Sequence, residues 1–158
     1  MSLVYSPGTL VSFECDDALD DVGYVMYLKS TGHIGKCAAG AVPIGVNFKD
    51  TKNRITEVAE SGRQVPVQMD GVAVVQYYLA AGDDDINAGD LVMAHQSQPG
   101  YVTKFTEDDL SATFSDTETE AAIKKSMYIV GIALEGAAAP ASGSTTGKIK
   151  VLLRCGRR

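Results

Sequence analysis

Tryptophan is absent from this chain of 158 residues, and the residue types that dominate catalytic and metal sites are few. There are two histidines, His33 and His95, and no second histidine lies at metal spacing from either. A zinc site would need carboxylates brought from elsewhere, and both histidines read as exposed turn residues. The three cysteines, Cys15, Cys37 and Cys155, form no C-x-x-C pair. That excludes a zinc ribbon and argues against a disulfide framework, leaving buried small hydrophobes as the reading. No apolar run approaches the length of about 18 residues that a membrane-spanning helix needs. The first ten residues, MSLVYSPGTL, have neither a basic opening nor a long apolar stretch, so no signal peptide is expected. A basic excess is also missing. With 20 acidic against 14 basic side chains the net charge is −6, which argues against a sequence-neutral nucleic-acid binder. The basic tail of Arg154, Arg157 and Arg158 reads as a solvated terminus.

Catalytic motifs are missing in the same way. There is no G-x-S-x-G, no phosphate loop, and no G-x-G-x-x-G after a strand. Asp16, Asp17, Asp20 and Asp21 invite comparison with an acid–base pair, but no aromatic cleft accompanies them. The run Asp83, Asp84, Asp85 resembles a calcium loop only superficially, because it lacks the glutamate that closes such a loop. It reads as a solvated turn with room for loose ion binding. No enzyme, cofactor or metal is expected.

What is present is β-sheet grammar. The length suits one domain that buries roughly 70% of its unfolded surface. Sixteen glycines punctuate short alternating runs. Leu10 to Cys15 alternates as a strand. Tyr24 to Tyr27 is dense in β-formers. Pro43 marks the start or edge of a short strand. Val72 to Leu79 is a continuous apolar run, suited to a strand buried on both faces. Asn47 to Arg63 is polar, and Ala137 to Gly147 reads as a loop before a last strand at Lys148 to Arg154. The one helix candidate follows Ser115 or Thr117, with Glu118 and Glu120 in its first turn and Lys124 and Lys125 in its last, the order the helix dipole favours.

The chain also repeats itself. GYVMYLKSTGHIGKC, from Gly23, and GDLVMAHQSQPGYVTKF, from Gly89, share a layout: glycine, a run reaching Val-Met, a turn with glycine, and a short return to lysine. Each is followed by a short strand around a glycine, Gly45 or Gly131, and then by an alternating strand. The repeat halves are 22–71 and 86–155, and the second is longer because it carries the helical stretch. Short strands of this kind bury their faces only when packed together. The expected fold is therefore mainly β, a small barrel or sandwich with internally repeated hairpins and one short helix.

The second half carries a resemblance. VVQYYLAAGDDDINAGDLVMAHQSQPGYVTKF, then YIVGIALEGAA and GKIKVLLRCG, is similar to the head decoration (cement) proteins of tailed viruses, bacteriophages among them. These share an apolar strand, an acidic turn, a Gly-Asp before a strand, a variable segment, a Gly-x-Ala strand and a closing alternating strand. The resemblance implies a virion protein made in the host cytoplasm and carried on the outer capsid surface. It implies a homo-oligomer, usually a trimer, that bridges neighbouring major capsid proteins without contacting nucleic acid or membrane. It also implies a contact with the capsid or with another copy. Residues 1–15 are either an arm adding to a partner's sheet edge or the first strand of the body at 16–158. Val4, Tyr5, Leu10, Val11 and Phe13 are the candidate anchors. The leading segment is short and apolar, unlike the Pro-, Thr- and Ala-rich leader common in such proteins. Rival readings are a turret base or head fibre anchor, a small ligand-binding or enzymatic barrel, and an intracellular interaction module.

Overall fold

The computed structural model describes residues 8–106 and 116–154. Ten strands and one helix follow in order: β1 Leu10–Cys15, β2 Val25–Leu28, β3 Ile34–Lys36, β4 Pro43–Asn47, β5 Arg63–Gln68, β6 Gly71–Ala80, β7 Leu91–Ala94, β8 Val102–Lys104, α1 Asp116–Ser126, β9 Ile129–Ala133 and β10 Ser144–Leu153. The fold is mainly β. The strands close into two five-stranded barrels, β1-β3-β2-β4-β5 and β6-β8-β7-β9-β10, with the same neighbour order in each. Closure gives each strand a neighbour on both sides, although β1 meets β3 only at Cys15 and β6 meets β8 only at Tyr77.

The correspondence holds to the single residue. Cys15 pairs in parallel with Ile34, and Tyr77 pairs in parallel with Val102. Met26 lies opposite Gly45 and Val92 opposite Gly131, and a register shift follows each pair directly. Met26 and Val92 are therefore equivalent. Aligning the two copies by their shared Val-Met is off by one position, because the glycine contact and the bulge set the register rather than side-chain identity. The lysines do correspond: Lys36 faces Met26 and Lys104 faces Val92.

Two glycines explain why the motif is written twice. A Cβ on Gly45 would collide with the Gln68 carbonyl, and a Cβ on Gly131 with the Leu152 carbonyl. Each glycine lets two strands approach where the barrel is tightest. A buried apolar residue plugs each barrel near the loop after its first strand. Leu19 exchanges bonds with Thr51, and Ile86 exchanges backbone bonds with Ala137.

The last strand is longer than the sequence suggests. Ser144 to Gly147 belongs to β10 and pairs with Ala80 to Tyr77. The ten-residue β6 supplies a partner for this Ser-Thr-Thr-Gly stretch, and the Tyr77 ring covers Gly147. Pro43 is the first residue of β4, where its missing N–H costs least. The helix α1, inserted between β8 and β9, carries Lys124 and Lys125 in its last turn. Ser115 lies outside the described residues. Ile123 on α1 is largely exposed, so the helix adds little to the core.

The barrels share one core. Val25, Cys37 and Val46 of the first barrel are buried together with Val75, Val92, Val130 and Ile149 of the second. Tyr101 of the second barrel packs in return against the interior of the first, around Leu19, Met26 and Val65. Only Met69 and Asp70 connect β5 to β6.

Candidate functional site

Among the described residues the most exposed large hydrophobic side chain, Ile55, lies on the excursion between β4 and β5. The excursion is framed by polar groups rather than by a core. Asn47 donates from its side-chain amide to the carbonyls of Asp21 and Lys49, both at 2.9 Å. Thr51 is buried, and its N–H donates to the Leu19 carbonyl at 2.9 Å. Lys52 and Ala59 form an antiparallel bridge. Above it, Asn53 donates to the Val58 carbonyl, its own carbonyl accepts from Glu57 N–H, and its side-chain oxygen accepts from Ile55 N–H at 2.9 Å. Glu57 sits at φ 55°, a left-handed conformation costly for a non-glycine, which this frame sustains.

The frame holds Ile55 92% exposed and Val58 62% exposed. Large β-branched side chains in water at an ordered tip are worth explaining, where singly scattered surface hydrophobes are not. Around them stand Lys49, Lys52 and Arg54, with Asp50 and Glu57 interspersed. A hollow of about 370 Å³ is lined by Lys49, Lys52, Arg54, Ile55 and Arg63. The Arg63 guanidinium is committed to Glu60, whose carboxyl is held below its ordinary value first by Asn53 and then by Arg63. In sequence this region reads as polar. The signal it offers is two β-branched residues, Ile55 and Val58, set among charges.

A second surface is apolar. Tyr27, Leu28, Ala38, Ala41, Val42 and Ile44 line an open groove of about 530 Å³, with Leu28 and Val42 at its exposed lip.

The residues singled out in the sequence do not converge on one site. Val4 and Tyr5 lie outside the described residues. Leu10 and Val11, 41% and 37% exposed, stay at the surface of β1, while Phe13 packs against the first barrel's core. All of β1 pairs antiparallel with β5. Each acidic residue of the first loop has its own partner. Asp16 holds Lys29 at 3.0 Å and His33 at 2.8 Å, and these bonds, Lys29 first, push its carboxyl below the usual range. Asp17 accepts from Lys36 N–H. Asp20 accepts from the Tyr24 hydroxyl at 2.6 Å, which lowers its carboxyl, while burial and that same bond raise the tyrosine. Burial opposes ionisation of Asp21 most strongly, but Lys148 at 2.7 Å and the Val22 N–H together leave the carboxyl lowered.

Asp83 accepts from Ala80 N–H and Asp85 from Ala139 N–H, so two of the three carboxylates in that run tie down loops. Asp83 and Asp84 line a hollow of about 400 Å³ with His95 and Met93. His95 accepts from the backbone N–H groups of Ser97 and Gln98 and packs edge-on against Tyr78. Burial pushes its imidazole down. Among the described residues no group of three or more His, Cys, Asp or Glu side chains is placed to hold a metal. Cys15 and Cys37 are free and buried, and burial pushes the Cys37 thiol up to about 12. Cys155 lies outside the described residues. Among the described residues no helix is long and apolar enough to cross a membrane.

The candidate contacts are thus three separate surface features of a doubled barrel: the Ile55 tip, the Leu28–Val42 groove and the exposed residues of β1. No family model, curated protein or solved structure matches the chain.

Proposed function

We propose that this chain is a structural virion protein of a tailed virus. It binds the outer capsid surface and stabilises the head by bridging major capsid proteins. It works as a homo-oligomer, a trimer in the simplest case, and performs no catalysis. The observation that carries the reading is the Ile55 tip: an apolar side chain held in water on a hydrogen-bonded hairpin, projecting from a rigid body. Such a tip loses little conformational entropy on docking, because the frame is already ordered. The doubled barrel supplies stiffness, and several copies of a modest contact on one lattice bind far more tightly than one. The resemblance of Val72 to Leu79, Ile86 to Val92 and Val130 to Ala137 to the decoration-protein layout supports the same reading.

The test is to image particles of the source by cryo-electron microscopy and to mix the purified chain with heads that lack it. Density for two barrels on the outer surface, with Ile55 against the capsid lattice, is the expected result. A particle without the chain, and heads that do not take it up, would sink the proposal.

A further inference from the structure

The contact between the two barrels is made by parts that the duplication writes twice, so each part has a counterpart elsewhere in the chain. On the first barrel the contact uses Gly23, Val25 and Cys37. The Gly23 carbonyl accepts from Gln76 N–H at 2.8 Å, and Val25 N–H donates to the Gly100 carbonyl at 2.8 Å. Cys37 accepts from Gly100 N–H at 3.0 Å. The fit at Gly23 is close: a Cβ there would stand 2.9 Å from the Val74 carbonyl. On the second barrel the contact uses the outer edge of β6, against Gly23, and Gly100 in the turn between β7 and β8, against Val25 and Cys37.

The register identifies the counterparts. Leu10 faces Gln68 as Val72 faces Leu152, and Cys15 corresponds to Tyr77, so Ser12 and Glu14 stand where Val74 and Gln76 stand. Gly23, Val25 and Cys37 correspond to Gly89, Leu91 and Phe105. Two bonds confirm this: Gly89 donates to Ala133 as Gly23 does to Asn47, and Phe105 donates to Leu91 as Cys37 does to Val25.

Among the described residues both counterparts are open. Met69 N–H donates to Thr9, and Asp16 N–H donates to Ile34. Strand alternation then turns the backbone groups of Leu10, Ser12 and Glu14 away from β5. Among the described residues β3 meets that edge only at Cys15. At the other end nothing lies within 4 Å of a Cβ built on Gly89. Leu91 is 36% exposed where Val25 is fully buried.

We infer that a second copy of this chain joins these two half-interfaces, β1 of one molecule lying on the Gly89–Leu91 surface of the next as β6, with Gly100 beside it, lies on Gly23–Val25 within one molecule. Glu14 N–H donates to the neighbour's Gly89 carbonyl. The argument is continuity with an interface the chain already contains, and it does not depend on what the assembly is bound to. The contact is head-to-tail, so it closes into a ring or runs on. One detail differs. The Gln76 side chain donates to the Val22 carbonyl at 2.9 Å, and the carboxylate of Glu14 has no proton to give.

The experiment is sedimentation velocity on the full chain and three variants. Glu14→Pro removes the N–H that the proposed contact uses and spares the ladder to β5. Leu91→Asp puts a charge on the opposite face. The wild type is expected to self-associate and each of these variants alone to be a single molecule. Their mixture should form a one-to-one dimer and stop, because the remaining ends are both blocked. Glu14→Gln should lower the dissociation constant of the wild type roughly five- to tenfold. A wild type that stays single at every concentration overturns the inference. So does a variant that still associates alone, and so does a mixture that does not pair; pairing also shows that both variants are folded.

Discussion

Gly45 and Gly131 occupy the same place in two barrels, each pressed against a backbone carbonyl of the paired strand, Gln68 in one and Leu152 in the other. Backbone cannot swing aside as a long side chain can. Gly45→Ala and Gly131→Ala should each destabilise by about 1–3 kcal/mol, the usual cost of overpacking. Denaturant unfolding of the two single variants checks this. Equal stability to wild type at either site would mean the strands move apart without cost.

Acid should weaken the fold in two stages. Burial holds the His95 imidazole below its ordinary value, so the unfolded chain takes up that proton first. The contribution of His95 is complete above about 6.5 and fades as pH falls below it. Asp16 and Asp20 are depressed carboxylates, the first by Lys29 and then His33, the second by the Tyr24 hydroxyl. Their contribution is present above about 4 and is lost as pH falls through their folded values. His95→Gln should flatten the upper stage of a melting-temperature profile and leave the lower one. Tyr24→Phe should cost about 1 kcal/mol at neutral pH and shrink the lower stage. A profile unchanged by both variants would refute the assignment.

Ile55 contributes almost nothing to the fold, being nearly all in water. Ile55→Glu should therefore leave the unfolding free energy within about 0.5 kcal/mol of wild type while abolishing the capsid uptake that the proposed function requires. Binding that survives the substitution would move the contact to the Leu28–Val42 groove or to β1.

Cys15 and Cys37 should resist alkylation until the whole molecule unfolds, because both are fully buried and their thiols are raised by burial. Cys37 lies in the core shared by the barrels. Its labelling rate should follow the single global transition rather than the opening of one barrel. Labelling of Cys37 while the second barrel stays protected from hydrogen exchange would show that the barrels come apart separately.

Much of this architecture is legible in the residues. Val72 to Leu79 announces the long strand β6, Pro43 announces the start of β4, and the glycine pair Gly45 and Gly131 announces the duplication. Three things are not legible, each for a physical reason. The shared Val-Met suggests an alignment one position off, because the bulge and the glycine contact set the register and neither depends on which apolar residue precedes them. The start of β10 at Ser144 depends on the length of its partner rather than on its own sequence. The Gly23–Val74 contact joins the loop before β2 to a strand of the other barrel, and only the closed fold brings them together. In the candidate site, Leu10, Val11 and Phe13 are plain as β-formers, but only the fold separates the exposed pair from the one turned to the core. Ile55 and Val58 were hidden in a stretch whose average is polar.

The shared core has a consequence for how the molecule is made. A ribosome finishes β5 and then adds Met69 and Asp70 before any of the second barrel exists. At about 5–20 residues per second, the stretch from Gly71 to Leu153 takes several seconds more. Through that interval the nascent first barrel carries Val25 and Cys37 uncovered, beside a Gly23 carbonyl with no partner. For those seconds the surface that later joins the two halves is bare apolar chain, and the segments that cover it, β6 first and then the turn at Gly100, have still to be made.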